Sequence, residues 1–264
     1  MSAQHRMKPW VWIAVASASV LTVVAVAAPA QWVASAVAQA SGGRLQIADA
    51  HGTVWSGSGV VVVADGAGTE ASRIALPERL AWSVAVLPLA TGTLALTLSH
   101  PSALAQPMTV RVPLATRGAS LSATTLRLPA ALLTGLGAPF NSVRPGGVLQ
   151  LSWDQLVLDP RGIHGALQAE WQQASSRLTP VAPMGHYRLS ADGFTPGARL
   201  QLQTLSGPLE LMGDGTIDDG GRLHFKGRAQ PVAGTDPAIR TQLAGLISLL
   251  GQRSGDGAQL TIGS

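Results

Sequence analysis

Leu223-His224-Phe225-Lys226-Gly227-Arg228-Ala229 alternates apolar or small residues with basic ones at a period of two. Successive side chains of a strand leave opposite faces of the pleat, so this pattern reads as a strand with one face buried and one wet. Asp219-Gly220-Gly221 stands just before it as a turn signal. The same alternation recurs upstream. Leu200 and Leu202 alternate with Gln201 and Gln203. Val110, Val112 and Leu114 share a side with Arg111 opposite, and Leu94, Leu96 and Leu98 share another. Val60 to Val63 is a continuous β-branched run, suited to a central strand or one buried on both faces.

Turn signals separate these runs at short intervals: Asp65-Gly66, Arg144-Pro145-Gly146-Gly147, Asp159-Pro160-Arg161-Gly162 and Asp192-Gly193. Many short strands joined by hairpins predict a mainly β domain, an antiparallel sandwich or a curved sheet, over residues 44–264. Arg79-Leu80-Ala81-Trp82 and Gln150-Leu151-Ser152-Trp153 are alike, and each is followed by glycine and a strand. Two stacked β-units with a boundary near residue 140 would account for the likeness, as would chance in a Leu/Gly-rich chain.

Two helical segments interrupt the strands. Pro129-Ala130-Ala131-Leu132-Leu133 begins a short one that Gly135 and Gly137 end. Near the C-terminus, Asp236 is an N-cap candidate and Pro237 suits the first helical position. Ile239, Leu243, Leu246, Ile247 and Leu250 recur at helical spacing, and Gly251 is placed to stop the helix. This helix is expected to lay its apolar face on the sheet. A last strand, Gln259 to Ile262, follows.

The N-terminus has a different grammar. Arg6 and Lys8 precede a stretch without charge from Pro9 to Gly43. Trp10 to Ala28 reads WVWIAVASASVLTVVAVAA. At 1.5 Å per residue such a stretch spans about 28 Å, close to the hydrocarbon thickness of a bilayer. Residues 9–28 are therefore expected to form a transmembrane helix. Residues 1–8 stay in the cytoplasm with their basic side chains, and the rest is exported. The stretch is longer than a cleaved signal needs, although Ala28-Pro29-Ala30 resembles a cleavage site. Residues 29–43 read as a juxtamembrane helix or linker, with Trp32, Val33, Ala36, Val37 and Ala40 on one face and Gly42-Gly43 ending it.

Composition narrows the function. Hydrophobic residues make up 46% and charged residues 12%, apolar for a soluble protein yet too polar for a polytopic membrane protein. The net charge of +4 comes from scattered arginines with only Lys8 and Lys226 beside them, and no basic cluster of the kind nucleic acid requires is present. The absence of cysteine rules out disulfides, thiol catalysis and thiolate metal sites.

Catalytic chemistry finds no foothold. His5, His51, His100, His164, His186 and His224 show no metal-ligand spacing. Asp214, Asp218 and Asp219 suggest a calcium loop only superficially, since the glycine and closing glutamate of such a loop are missing. Asp154 and Asp159 are explained by turns. Trp55-Ser56-Gly57-Ser58-Gly59 lacks the nucleophile-elbow spacing. No catalytic, cofactor-binding or metal-binding residue is assigned, no cofactor is implied, and the protein is not expected to be an enzyme. Trp55, Trp82, Trp153 and Trp171 lie in or beside strands and read first as core, second as a binding surface.

A series of landmarks gives the chain a family likeness. In order they are His51-Gly52-Thr53-Val54-Trp55-Ser56-Gly57, Leu80-Ala81-Trp82 with Leu87-Pro88-Leu89, Pro145-Gly146-Gly147 with Leu151-Ser152-Trp153, and Glu170-Trp171 through Arg177-Leu178. Pro183-Met184-Gly185-His186-Tyr187, Leu205-Ser206-Gly207-Pro208-Leu209, Leu249-Leu250-Gly251-Gln252-Arg253 and Gly255-Asp256-Gly257 complete the series. With the anchor before them, they resemble the type II secretion system protein N family, also called general secretion pathway protein N. The resemblance implies a single-pass protein of the inner membrane, with a cytoplasmic N-terminus and a periplasmic domain. It further implies an accessory, non-enzymatic part of the machine that exports folded proteins, with other secretion components as partners. The alternative is a membrane-anchored lipid-handling protein, with Leu94, Leu96, Leu98, Val110, Val112 and Leu114 lining an apolar β-groove.

Overall fold

A computed structural model describes residues 26–64, 73–136, 140–160, 162–194, 197–218, 220 and 222–263. The expected transmembrane helix lies outside these residues apart from its last three, as do Asp65-Gly66, Gly137, Arg161 and Asp219. Among the described residues no helix is long and apolar enough to cross a membrane.

Among the described residues the first full element is α1 (Gln31–Ala40), which Gly42 and Gly43 end at φ of 60° and 80°. Strands β1 (Leu45–Gly52), β2 (Ser56–Val63), β3 (Ile74–Ala75) and β4 (Leu80–Ala85) follow. Then come a single turn of helix, α2 (Val86–Ala90), and β5 (Thr93–Ser99), β6 (Met108–Pro113), β7 (Ala119–Leu121) and β8 (Thr124–Pro129). A 3-10 helix (Ala130–Leu136) and α3 (Phe140–Val143) lead to β9 (Gly146–Trp153), β10 (Leu156–Asp159), β11 (Gly162–Ser175) and β12 (Gly185–Phe194). The chain continues through β13 (Ala198–Ser206), β14 (Leu209–Ile217), β15 (Leu223–Pro231), α4 (Pro237–Leu250), β16 (Gln252–Ser254) and β17 (Gly257–Ile262).

Among the described residues the strands join one sheet of seventeen, and its pairings are antiparallel. The topology is a meander. β2 pairs with β1 on one side and with β3 and β4 on the other, and β4, β5, β6 and β7 follow in turn. β7 and β8 lie end to end, as do β9 and β10. Leu121 faces Leu156 and Thr124 faces Trp153, so one register runs through both pairs and the ladder crosses residue 140 without a break. β11 spans β9 and β10 together, then β12 to β15 add one by one. β17 enters between β15 and β16. No pairing among the described residues joins β1 to β16 or β17, so the sheet is open. The sandwich alternative is thereby corrected to a single sheet, because each hairpin extends the same ladder rather than starting a second layer.

Alternation sorts the two faces. Ser152, Gln168, Ser190, Gln201, Asp214, Lys226 and Thr261 are successive cross-strand partners and form a polar row seven strands wide. On the other face Trp171 stands opposite Tyr187 with ring centroids 5.9 Å apart, and Leu211, Ala229 and Ala258 continue the row. α4 covers this face with Leu243, Leu246 and Ile247, all buried, and packs on Tyr187, Leu209 and Ala258. Asp236 caps it as predicted, its carboxylate accepting from Ala238 N at 2.7 Å. Beyond α4 the same face narrows. A Cβ at Gly213, Gly215 or Gly227 would come 2.6, 2.8 or 2.9 Å from the Phe225 ring, so three glycines let that ring lie flat on the sheet. A second, smaller core gathers Leu76, Ala103 and Leu132 with Val61, Val63, Leu126 and Leu128.

Several details differ from the expectations. Val33, Ala34, Val37 and Ala38 are the half-buried residues of α1, whereas Trp32 is 56% exposed, because α1 packs on β1 one residue around from the predicted face. Leu114 lies past the end of β6 and is 62% exposed, so it does not line a face with Val110 and Val112. Gly135 sits inside the 3-10 helix rather than ending it. β16 was not foreseen.

Candidate functional site

The titratable side chains are spread out, and their partners are mostly structural. Arg79 hydrogen-bonds the Asp49 carboxylate and carbonyl, and its guanidinium lies 2.8 Å from His51 Nδ1. That hydrogen bond holds the Asp49 carboxyl below the usual carboxylate range. Arg188 lies 2.8 Å from Glu170 and lowers its carboxyl, with Gln172 and Gln168 donating as well. Asp218 is lowered first by the Arg222 backbone N–H, 2.8 Å away, and also accepts from Gly220, which makes it a turn residue. Asp159 does the same for its turn, accepting from Gly162 N at 3.1 Å, with His164 Nε2 also 3.1 Å away. Burial raises the Tyr187 phenol, which donates to Leu209 O at 3.1 Å. His100 is buried, with Nδ1 accepting from Ala103 N and Nε2 without a hydrogen-bond partner among the described residues. Among the described residues no three of His, Asp and Glu gather as a metal site.

The sequence landmarks meet one another in pairs. Trp82 Nε1 donates to Thr53 O at 3.2 Å, and a Cβ at Gly57 would strike the Trp82 ring, so His51–Gly57 and Leu80–Trp82 form one packed corner. Trp153 Nε1 donates to Ser122 O at 2.9 Å, so both tryptophans of the suspected repeat bind backbone, 29 and 31 residues upstream. Trp171 Nε1 donates to Gly146 O at 2.8 Å. A Cβ at Gly207 would lie 2.3 Å from Gly185 Cα, and Leu209 N donates to Met184 O, joining Pro183–Tyr187 to Leu205–Leu209. The landmarks are therefore joints of the sheet.

These joints sit at the strand pairings that the family pattern spans. The model of the family described as type II secretion system (T2SS), protein N, matches residues 43–261. The chain belongs to that family. Membership places it in type II secretion. Searches of curated proteins and of solved structures find no match.

For a T2SS protein N domain the informative surfaces are the two sheet edges. At the β1 edge, Leu45 N donates to Ser41 Oγ at 3.0 Å and that hydroxyl donates to Leu45 O at 3.1 Å. Further along, the register shifts between Ala48 and His51, Asp49 sits at φ 52°, and Arg79 binds it. Helix cover, a capping side chain and a bulge are devices that block strand pairing. The opposite edge has none of these three, and is limited by the three-residue length of β16 and by Arg253 upon it. Ser254 and Gly257 close a two-residue hairpin, so they exchange hydrogen bonds and Arg253, opposite Ala258, turns its N–H and C=O outward. The same alternation turns the N–H and C=O of Thr261 outward, past the end of β16. Gln252, Arg253 and Ser254 are all exposed. Sequence reasoning missed this edge, although Gly255-Asp256 was the signal of a hairpin turn.

A trough of about 1070 Å³ on the sheet is lined by Asp192, Arg199, Gln201, Asp214, His224 and Lys226 together with the apolar Leu200, Phe225 and Ile262. Leu94, Leu96 and Leu98 are half-buried in β5, opposite Val112, Val110 and Met108.

Proposed function

We propose that this protein is a non-enzymatic adaptor of the type II secretion system, held in the inner membrane by residues 9–28, with its sheet in the periplasm. In this role the β16–β17 edge receives an extended segment of another secretion component. The observation that carries the reading is the difference between the edges: β1 is capped at Leu45 and bulged at Asp49, with Ile47 outward between them, while Arg253 and Thr261 present free backbone groups in an otherwise continuous ladder. Main-chain pairing supplies affinity at such an edge and leaves specificity to flanking side chains. Confinement to one membrane raises the effective concentration of both partners, so a short edge suffices. Asp192, Asp214 and Lys226 count against an acyl chain in the trough they line, since it would desolvate them without pairing them.

Photocrosslinking in intact cells tests it. A photoreactive side chain at Gln252 should capture another secretion component, whereas the same group at Gln46 on β1 should not. Capture of lipid alone at Gln252 would replace the adaptor by the lipid-handling alternative.

A further inference from the structure

We infer that the end of the sheet bearing α2 rests on the bilayer, with Val86, Leu87 and Leu114 in the lipid interface as a second membrane contact. The inference rests on the reading of residues 9–28 as the anchor. The first observation is the place where that stretch ends. Ala28 and Ala30 are buried, Val54 N donates to Ala28 O at 2.9 Å, and Ala30 N donates to Gly52 O at 3.1 Å. The domain thus begins at the last residue of the apolar run, with no linker to let it stand away from the membrane. The second is what lies beside that junction. Val84 N donates to Trp55 O, α2 follows directly, and Leu114 N donates to Gly92 O at the end of α2. At about 4.8 Å per strand, α2 is roughly 10 Å from Ala28.

The third observation is exposure. Leu87 is 86%, Val86 66% and Leu114 62% exposed, the Leu87 value being the highest among the exposed large hydrophobic side chains of the described residues. Trp32, on the first turn of α1, is 56% exposed and next to the same junction, where an indole favours the headgroup region. Arg117 is exposed in the loop after Leu114, with Asp159 in the same cleft. An apolar rim beside a membrane anchor matches the lipid interface, where interfacial segments bury their apolar side by several ångströms.

The test uses the full chain in vesicles of phosphatidylethanolamine and phosphatidylglycerol, with single cysteines carrying an environment-sensitive fluorophore at Leu87, Leu114 and Leu205. Leu205 is 44% exposed at the opposite end of the sheet and serves as the wet reference. Alkaline carbonate extraction reports the anchor in the same samples. The expected result is resistance to extraction, with quenching by nitroxide-bearing lipid several-fold stronger at residues 87 and 114 than at residue 205. Resistance with equal, weak quenching at all three positions overturns the second contact and leaves the anchor standing. Release by carbonate with weak quenching everywhere overturns both.

Discussion

The two edges of the sheet are built from the same kind of strand and finished in opposite ways. Leu45, outermost on β1, has both outward backbone groups tied to one serine hydroxyl, and Asp49 breaks the strand with a bulge that Arg79 clamps. At the other end, β16 is three residues long and nothing among the described residues pairs with the outward groups of Arg253 or Thr261. An unpaired edge invites another strand, and a protein that blunts one edge while leaving the other open has made pairing directional. The open edge is also supported from beneath, because α4 packs on β17 through Ala258. The capped edge has α1 beside it and the Ser41 and Arg79 side chains upon it.

The strongest way to break this contrast is to remove the support. Leu243, on the sheet-facing side of α4, is fully buried, and Leu243→Ala should cost about 3 kcal/mol, lowering the midpoint of thermal unfolding by roughly 6–12 °C. Hydrogen exchange should then accelerate first in β16 and β17. Uniform acceleration across the sheet would show that α4 stabilises the whole domain rather than the open edge.

A smaller effect is expected from uncapping the other edge. Ser41→Ala leaves both outward groups of Leu45 without their partner, at about 1 kcal/mol. The same change should make β1 adhesive, visible as concentration-dependent association in sedimentation. A monomeric Ser41→Ala domain would mean that α1, and not the hydroxyl, guards this edge.

Arg253→Pro should change stability by less than about 0.5 kcal/mol, since the residue is exposed and its N–H points away from the ladder. Crosslinking to a secretion partner from Gln252 should nevertheless disappear. Persistence of the crosslink would move the docking site away from the β16 backbone.

The weakest effect is a pH dependence confined to β1. Asp49 has its carboxyl lowered by Arg79, so the stabilisation it contributes is present above the ordinary aspartate pKa of about 3.9 and fades as pH falls through the lowered value. Amides around the bulge should lose protection in that acid range, and more readily in high salt, because the pair is exposed. An Arg79→Gln domain should show the reduced protection already at neutral pH.

Much of this fold was readable because alternation carries a direct physical meaning. Leu223 to Ala229 and Leu200 to Gln203 occupy strands with the predicted faces, and α4 begins and ends where its cap and glycine placed it. Leu114 misled, since a residue just past a strand keeps the sequence period after the pleat has ended. α1 misled by one position, because Trp32 looks like core by type and is left outside by the packing on β1. β16 is too short for periodicity to detect. The candidate edge was legible only as a turn dipeptide.

From the sequence alone came the strand and helix inventory, the uncharged N-terminal stretch, the absence of cysteine and the family landmarks, because each depends on neighbours within a few residues or on composition. The tertiary structure decided what depends on long-range pairing. It decided that the hairpins build one open sheet, that landmarks such as Gly185 and Gly207 exist to let two backbones meet, and that Ser41 closes one edge while Arg253 and Thr261 leave the other open. Backbone hydrogen bonds between strands carry no residue code of their own, so only the assembled sheet reveals which of them remain unmade.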